Sequence, residues 1–89
     1  MNIPNSVKRK ALEKTLEITI RVGKQGLNES VIYELKQQLL KRKLVKMKIN
    51  QGIASNNEER KSLFESVSNE SESYLVHRRG NIAVFWSGE

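Results

Sequence analysis

Four short segments rich in apolar residues are predicted to be β-strands, and three of them show the alternation of apolar and polar residues that is typical of strands. Ile18–Val22 alternates in this way and carries β-branched residues at four of its five positions. In residues 45–49, apolar side chains alternate with two lysines, which predicts a second strand. Residues 74–78 and Ile82–Trp86 are separated by a short segment around Gly80. Because glycine tolerates the positive φ of tight turns, these last two strands are expected to form a hairpin.

One short helix is predicted before the first strand, and a longer helix is predicted between the first and second strands. Asn5 or Ser6 is suited to begin a short helix that runs to about Lys14. After the first strand, Asn28 is suited to cap a longer helix whose apolar residues recur at spacings of four. The predicted apolar stripe of that helix consists of Val31, Ile32, Leu35, Leu39 and Leu40.

A third helix is expected after Asn56, because Glu59 stands at the spacing of a capping box. Its apolar anchors are Leu63, Phe64 and Val67. The predicted order of elements is therefore αβαβαββ in one domain that covers residues 1–89. Strands that alternate with helices favour parallel pairs joined by right-handed crossovers, and the hairpin adds an antiparallel strand. We expect an α+β fold with helices mainly on one face of the sheet.

Composition narrows the possible functions of this single domain. The 89 residues contain no Cys and no Asp, and His77 is the only histidine. Disulfides, zinc clusters and thiol nucleophiles are thus excluded, and we expect neither a metal nor a cofactor. No apolar run approaches the roughly 18–20 residues of a membrane span, and residues 1–10 lack the apolar core of a signal peptide. The sequence predicts a cytoplasmic protein without membrane contact.

Positive charge is concentrated in the first part of the chain. The net charge is +6, but residues 1–53 carry 12 Lys or Arg against 4 Glu, a net +8. Residues 54–73 carry 2 basic residues and 5 Glu, a net −3. This asymmetry favours a one-sided electrostatic surface, although charges that average out in three dimensions would fit the counts equally well.

The segment Gly23-Lys24-Gln25-Gly26 is the strongest candidate for chemistry, because it joins a strand to a helix capped by Asn28. Such a loop lets backbone amides approach a phosphate, and both the helix N-terminus and Lys24 add positive charge. KH modules use a Gly-x-x-Gly loop in this way on RNA. A turn followed by a helix entry is the simpler alternative. Neither the Walker pattern nor the dinucleotide fingerprint is present.

Basic residues on the strands extend this candidate site. Lys46 and Lys48 share one parity of their strand and should point the same way. If Arg21 and Arg78 lie on that side too, the four residues form a track for phosphates; otherwise they are solvated surface charges. Arg78 and Arg79 stand at the hairpin turn. Contact of their guanidinium groups with phosphate is favoured slightly over an ordinary role as turn residues.

The aromatic residues and the histidine have simpler interpretations. Tyr74, Phe85 and Trp86 are able to stack on bases, but at least two of them are expected in the core, with Trp86 the most exposed. His77 has no partner placed to activate it for catalysis, so a structural role is expected. The glutamates of the third helix are expected to form a solvated face.

Two segments resemble one family. Residues 20–32 consist of a strand, a Gly-Lys-x-Gly-Leu loop and a polar helix start that is followed by Val-Ile. This pattern resembles the CRM (chloroplast RNA splicing and ribosome maturation) domain in its single-domain, YhbY-like form. Residues 44–48 resemble that family's Lys-containing second strand. The chain departs from the pattern at Phe85-Trp86-Ser87, where the family usually has Tyr-Arg, and in a shorter link before the first strand.

The resemblance implies a two-layer fold like the C-terminal domain of translation initiation factor three, with a four-stranded mixed sheet. It also implies binding of structured RNA, and for stand-alone members association with precursors of the large ribosomal subunit. The loop of residues 23–26 would clamp the RNA backbone. The residues expected to bind RNA are Arg21, Gly23, Lys24, Gln25, Gly26, Asn28, Lys46, Lys48, Arg78 and Arg79.

The leading hypothesis is therefore a monomeric RNA-binding protein of ribosome assembly, without catalytic activity or a small-molecule substrate. A small basic DNA-binding protein of the chromatin type is the alternative. A nuclease is the third hypothesis, and the lack of Asp, Cys and a His–acid pair leaves little from which to build its site.

Overall fold

The predicted order of elements is confirmed. The computed structural model describes residues 3–89, in which the helices are α1 (Asn5–Leu12), α2 (Glu29–Arg42) and α3 (Asn57–Glu70). The strands are β1 (Ile18–Val22), β2 (Leu44–Ile49), β3 (Tyr74–Arg79) and β4 (Ile82–Trp86). Helix α1 ends two residues before the expected Lys14, and β3 extends one residue past the expected end.

The four strands form one mixed sheet in the order β1-β2-β4-β3. Strands β1 and β2 are parallel, whereas β4 is antiparallel to both β2 and β3. The expected crossover thus joins β1 and β2 as parallel neighbours. Strand β3 does not pair with β2, because β4 lies between them and gives each of them an antiparallel neighbour.

The main core lies between one face of the sheet and the helices α2 and α3. The fully buried Phe64 of α3 and Phe85 of β4 meet edge to face there, with ring centroids 6.3 Å apart. The other buried members of this cluster are Ile20, Val22, Leu35, Leu39, Val45, Met47, Ile49, Val67 and Ala83. This layer of helices on one face agrees with the predicted architecture.

Leu40 was expected in the buried stripe of α2, and this expectation is wrong. Its side chain is 77% exposed, whereas Leu35 and Leu39 are buried. Successive residues of a helix are rotated by about 100°, so Leu40 lies about 140° from Leu35 around the axis and points away from the sheet.

Both longer helices begin at the predicted caps. The Asn28 side chain accepts a hydrogen bond from the Val31 amide at 3.1 Å, and the Asn56 side chain accepts one from the Glu59 amide at 2.8 Å. The Glu59 carboxylate accepts from the amide of Ser55, one residue before the cap, so the predicted capping box closes one position early. This hydrogen bond from the Ser55 backbone lowers the pKa of Glu59.

The second face of the sheet is partly covered by α1, which packs against β3. Val84 and Trp86 of β4 are buried but lie outside the main cluster, and Ala11 of α1 is buried as well. The ring of Trp86 lies 5.7 Å from that of Tyr74. The expectation that Trp86 would be the most exposed of the aromatic strand residues is therefore wrong, since it is only 6% exposed.

None of the helices within residues 3–89 has both the length and the apolar content that crossing a membrane requires.

Candidate nucleic-acid interface

Three connecting segments meet at one edge of the sheet. Because β1 and β2 are parallel, both end at this edge, where the Asn50 amide donates to the Val22 carbonyl at 2.9 Å. The Ile49 amide donates to the Asn81 carbonyl at 2.9 Å and holds the β3–β4 turn at the same edge. The loop of residues 23–26, the loop after β2 and the hairpin turn are thus neighbours.

The loop of residues 23–26 is a tight turn in which the Gly26 amide donates to the Gly23 carbonyl at 3.0 Å. Lys24 and Gln25 at its tip are exposed. In the part of the chain that the structure describes, the amides of these two residues donate to no other protein group. They are therefore available to an acceptor outside the protein, and the cap of α2 follows two residues after the loop.

The two glycines of this loop serve different needs. Gly26 has φ +80°, a conformation that costs other residues about 1–2 kcal/mol, whereas Gly23 lies outside the positive-φ region. No atom would lie within 4 Å of a Cβ at either position. We expect Gly26→Ala to lower the free energy of unfolding by roughly 1–2 kcal/mol and Gly23→Ala to leave it within about 0.5 kcal/mol. Urea denaturation of both variants checks this difference, and equal losses would contradict the loop geometry.

Arg21, Lys48 and Arg79 form a row across the sheet, which we call the basic row. Arg21 of β1 is paired with Lys48 of β2, Lys48 with Ile82 of β4, and Ile82 with Arg79 of β3. Paired residues of neighbouring strands point to the same face, so the row spans roughly 14 Å at about 4.8 Å per strand. All three cations are exposed, and the one ion pair within residues 3–89 joins other residues.

Lys46 points to the same face as Lys48, as the strand parity predicted, but its amine is engaged by the segment before β1. The side chain is half-buried, and its Nζ donates to the Leu16 carbonyl at 3.3 Å. Lys46 therefore fastens the segment between α1 and β1 to the sheet, which competes with the predicted role in RNA binding.

Arg78 lies on the opposite face from Arg21, so the four-residue track considered from the sequence does not form. Arg78 is paired with Ala83, a member of the main core, and its Nη1 donates to the side chain of Asn57 at 2.8 Å. Adjacent residues of a strand point to opposite faces, and it is Arg79 that joins Arg21 and Lys48.

The model of the CRS1/YhbY (CRM) domain family matches residues 6–87. The chain belongs to this family. A solution structure of the hypothetical protein SAV1595 from Staphylococcus aureus, provisionally described as RNA-binding, superposes on this CRM domain with a TM-score of 0.76. The two are 27% identical over 99% of this chain and 91% of the other. No curated protein sequence matches the chain at a significant level.

Two further features of the CRM domain bear on the predicted site. The Asn28 side chain accepts from the Val31 amide, so its oxygen already serves as the cap of α2. Helix α1, which lies on the face of the basic row, exposes Lys8, Arg9 and Lys10. The sequence prediction left these three out of the site. Their concentration in a short basic helix was the signal, but only the packing of α1 places them on this face.

Within residues 3–89, no group of three or more His or Glu side chains is arranged to hold a metal ion. The interface consists of amides, guanidinium groups and amines, which are donors and cations suited to an anionic ligand.

Proposed function

We propose that this CRM domain binds ribosomal RNA in precursors of the large ribosomal subunit. RNA binding as such is supported by the family and by the description of the Staphylococcus aureus neighbour. The observation that carries the proposal is the position of the basic row at the same edge of the sheet as the open loop of residues 23–26.

The two parts of this surface provide complementary contacts to an RNA backbone. The free amides of the loop offer short hydrogen bonds to phosphate oxygens, while Lys24 and the basic row neutralise further phosphates along the chain. Structured RNA is recognised largely through its shape and its phosphates. A row about 14 Å wide that ends beside a backbone-lined loop suits such a ligand.

A substitution at Lys24 tests the contact between the loop and RNA. We expect Lys24→Glu to lower the affinity for a large-subunit ribosomal RNA fragment by roughly tenfold or more at 0.1 M salt, because an attractive charge becomes repulsive. The plot of log affinity against log salt concentration should also become shallower. Fluorescence anisotropy measures both quantities.

Lys41→Glu is the matched control, since Lys41 is exposed near the C-terminal end of α2, away from the loop. It should change the affinity much less than Lys24→Glu. Equal affinity of Lys24→Glu and the unchanged protein, together with a flat salt dependence, would contradict the proposal.

Association with ribosome precursors is tested separately by sedimentation of the tagged protein through a gradient. Enrichment in large-subunit precursors is expected, and loss of that enrichment in Lys24→Glu would connect it to the loop. Tighter binding to duplex DNA than to RNA, with a stable dimer by sedimentation, would instead favour the DNA-binding alternative. The proposal further takes the protein to act as a monomer in the cytoplasm.

A further inference from the structure

A groove runs along α2 and is bordered by the end of α3 and by residues 87–89; we call it the acidic groove. Two concavities of about 520 and 330 Å³ meet at Lys36 to form it. Leu27, Ile32 and Tyr33 line the first concavity, and Leu40 lines the second. The side chains of Tyr33 and Leu40 are 64% and 77% exposed. Tyr33 and Leu40 are seven residues apart, so they lie on the same side of α2 about 10 Å from each other.

The charge of this groove is opposite to that of the whole protein. Glu29, Glu70, Glu72 and Glu89 line it against the single Lys36, a net charge of −3 on a chain of +6. Lys36 is itself engaged, since its Nζ lies 3.8 Å from the Glu72 carboxylate. Apolar side chains thus lie exposed between acidic borders.

We propose that the acidic groove binds a lysine- or arginine-rich polypeptide segment that carries apolar residues. Such a segment would bury Tyr33 and Leu40 while its cations face the glutamates. Other occupants fit the charge poorly. RNA and an anionic membrane would be repelled, and a second copy packed groove to groove would place acidic borders against each other.

The acidic groove and the basic row lie on different sides of the sheet. The groove is formed by the layer of α2 and α3, whereas Arg21, Lys48 and Arg79 point to the face on which α1 packs. One end of the groove, at Leu27, Asn28 and Glu29, adjoins the loop of residues 23–26. A basic segment that occupies the groove beyond this end leaves the basic row open, and the domain would bridge an RNA and a basic protein segment.

The test uses a synthetic 15-residue peptide of lysines and leucines, with the leucines at every third or fourth position. It is titrated into the full ¹⁵N-labelled chain while the backbone amide shifts are followed. We expect the shifts to cluster at residues of the acidic groove.

The double variant Tyr33→Ser, Leu40→Ser should weaken binding by roughly tenfold or more, because both anchors lose their apolar contact. Replacing the lysines of the peptide by glutamate should abolish binding.

Leu12→Ser is the matched control, because Leu12 is 62% exposed on α1 and lines neither concavity. Its affinity for the peptide should stay within about twofold, since an isolated exposed leucine adds little. Shifts that map to another surface, or unchanged affinity of the double variant, would overturn the proposal. So would a dimer that the same double variant dissolves, because a second copy would then be the occupant. Affinity of the double variant for ribosomal RNA should be unchanged, which separates this proposal from the proposed function.

Discussion

Replacing the whole basic row, as Arg21→Gln, Lys48→Gln and Arg79→Gln together, is expected to lower the affinity for RNA roughly 100-fold at 0.1 M salt. Each phosphate contact contributes about 0.7 to the slope of log affinity against log salt concentration for single strands. Three lost contacts therefore reduce the slope by about 2, which corresponds to two decades of affinity at 0.1 M. The difference should nearly vanish at 1 M salt, where counterion release contributes little.

A second triple variant distinguishes phosphate contacts made by the basic row from a general effect of lower net charge. Lys41→Gln, Arg42→Gln and Lys43→Asn remove the same charge at the far end of α2, where all three side chains are exposed. Asn is used at Lys43 because this residue has φ 68°, which Asn tolerates well. We expect this variant to retain most of the salt slope. Equal slopes for the two triple variants would show that the row itself does not contact phosphate.

Arg78→Gln completes this comparison, because Arg78 was predicted to bind RNA and lies on the other face of the sheet. If the face of the sheet decides the contact, Arg78→Gln leaves the slope unchanged while Arg79→Gln lowers it by about 0.7.

Phe85→Ala is expected to lower the free energy of unfolding by about 3–5 kcal/mol. Phe85 is fully buried on β4, which is paired on both sides, and its ring meets that of Phe64. Removing the ring eliminates apolar burial, leaves a cavity and ends the edge-to-face contact. A domain of this size has a total stability of roughly 4–13 kcal/mol, so the variant should lose at least about a quarter of it.

Urea denaturation measures this effect, and the midpoint should fall by more than about 1.5 M. Tyr33→Ala serves as the control, because Tyr33 has a comparable ring that is 64% exposed. Its free energy of unfolding should change by no more than about 0.5 kcal/mol. A loss below about 1 kcal/mol in Phe85→Ala would contradict the packing of the core.

Much of the fold was predictable because it depends on local patterns. The alternation in Ile18–Val22 and the continuous apolar run of Ile82–Trp86 placed both strands at their observed bounds, and Asn28 and Asn56 identified the starts of the helices. Such signals act within a few residues, since a cap bonds to amides two or three positions ahead. The loop of residues 23–26 was also identifiable, because its glycines and Lys24 are adjacent in the chain.

The errors share one cause, which is that they concern neighbours distant in the sequence. Leu40 fitted a spacing of apolar residues, but the orientation of α2 on the sheet decides which side is buried. Trp86 is buried on the second face, with its ring beside that of Tyr74 from the neighbouring strand, and no pattern near Trp86 indicates this. The sequence also suggested Arg78 as the residue that joins Arg21, whereas the observed register of the hairpin puts Arg79 there.

By itself, the sequence determined the order of elements, the Gly-Lys-Gln-Gly loop, the charge asymmetry and the resemblance to the CRM family, because each resides in contiguous residues. Only the tertiary structure decided the strand order, which inserts β4 between β2 and β3. That order and the registers of pairing align Arg21, Lys48 and Arg79 in one row and leave Arg78 on the opposite face, while the Leu16 carbonyl holds the amine of Lys46. The physical reason is that strand pairing is set by the burial of one shared core, to which every element contributes at once.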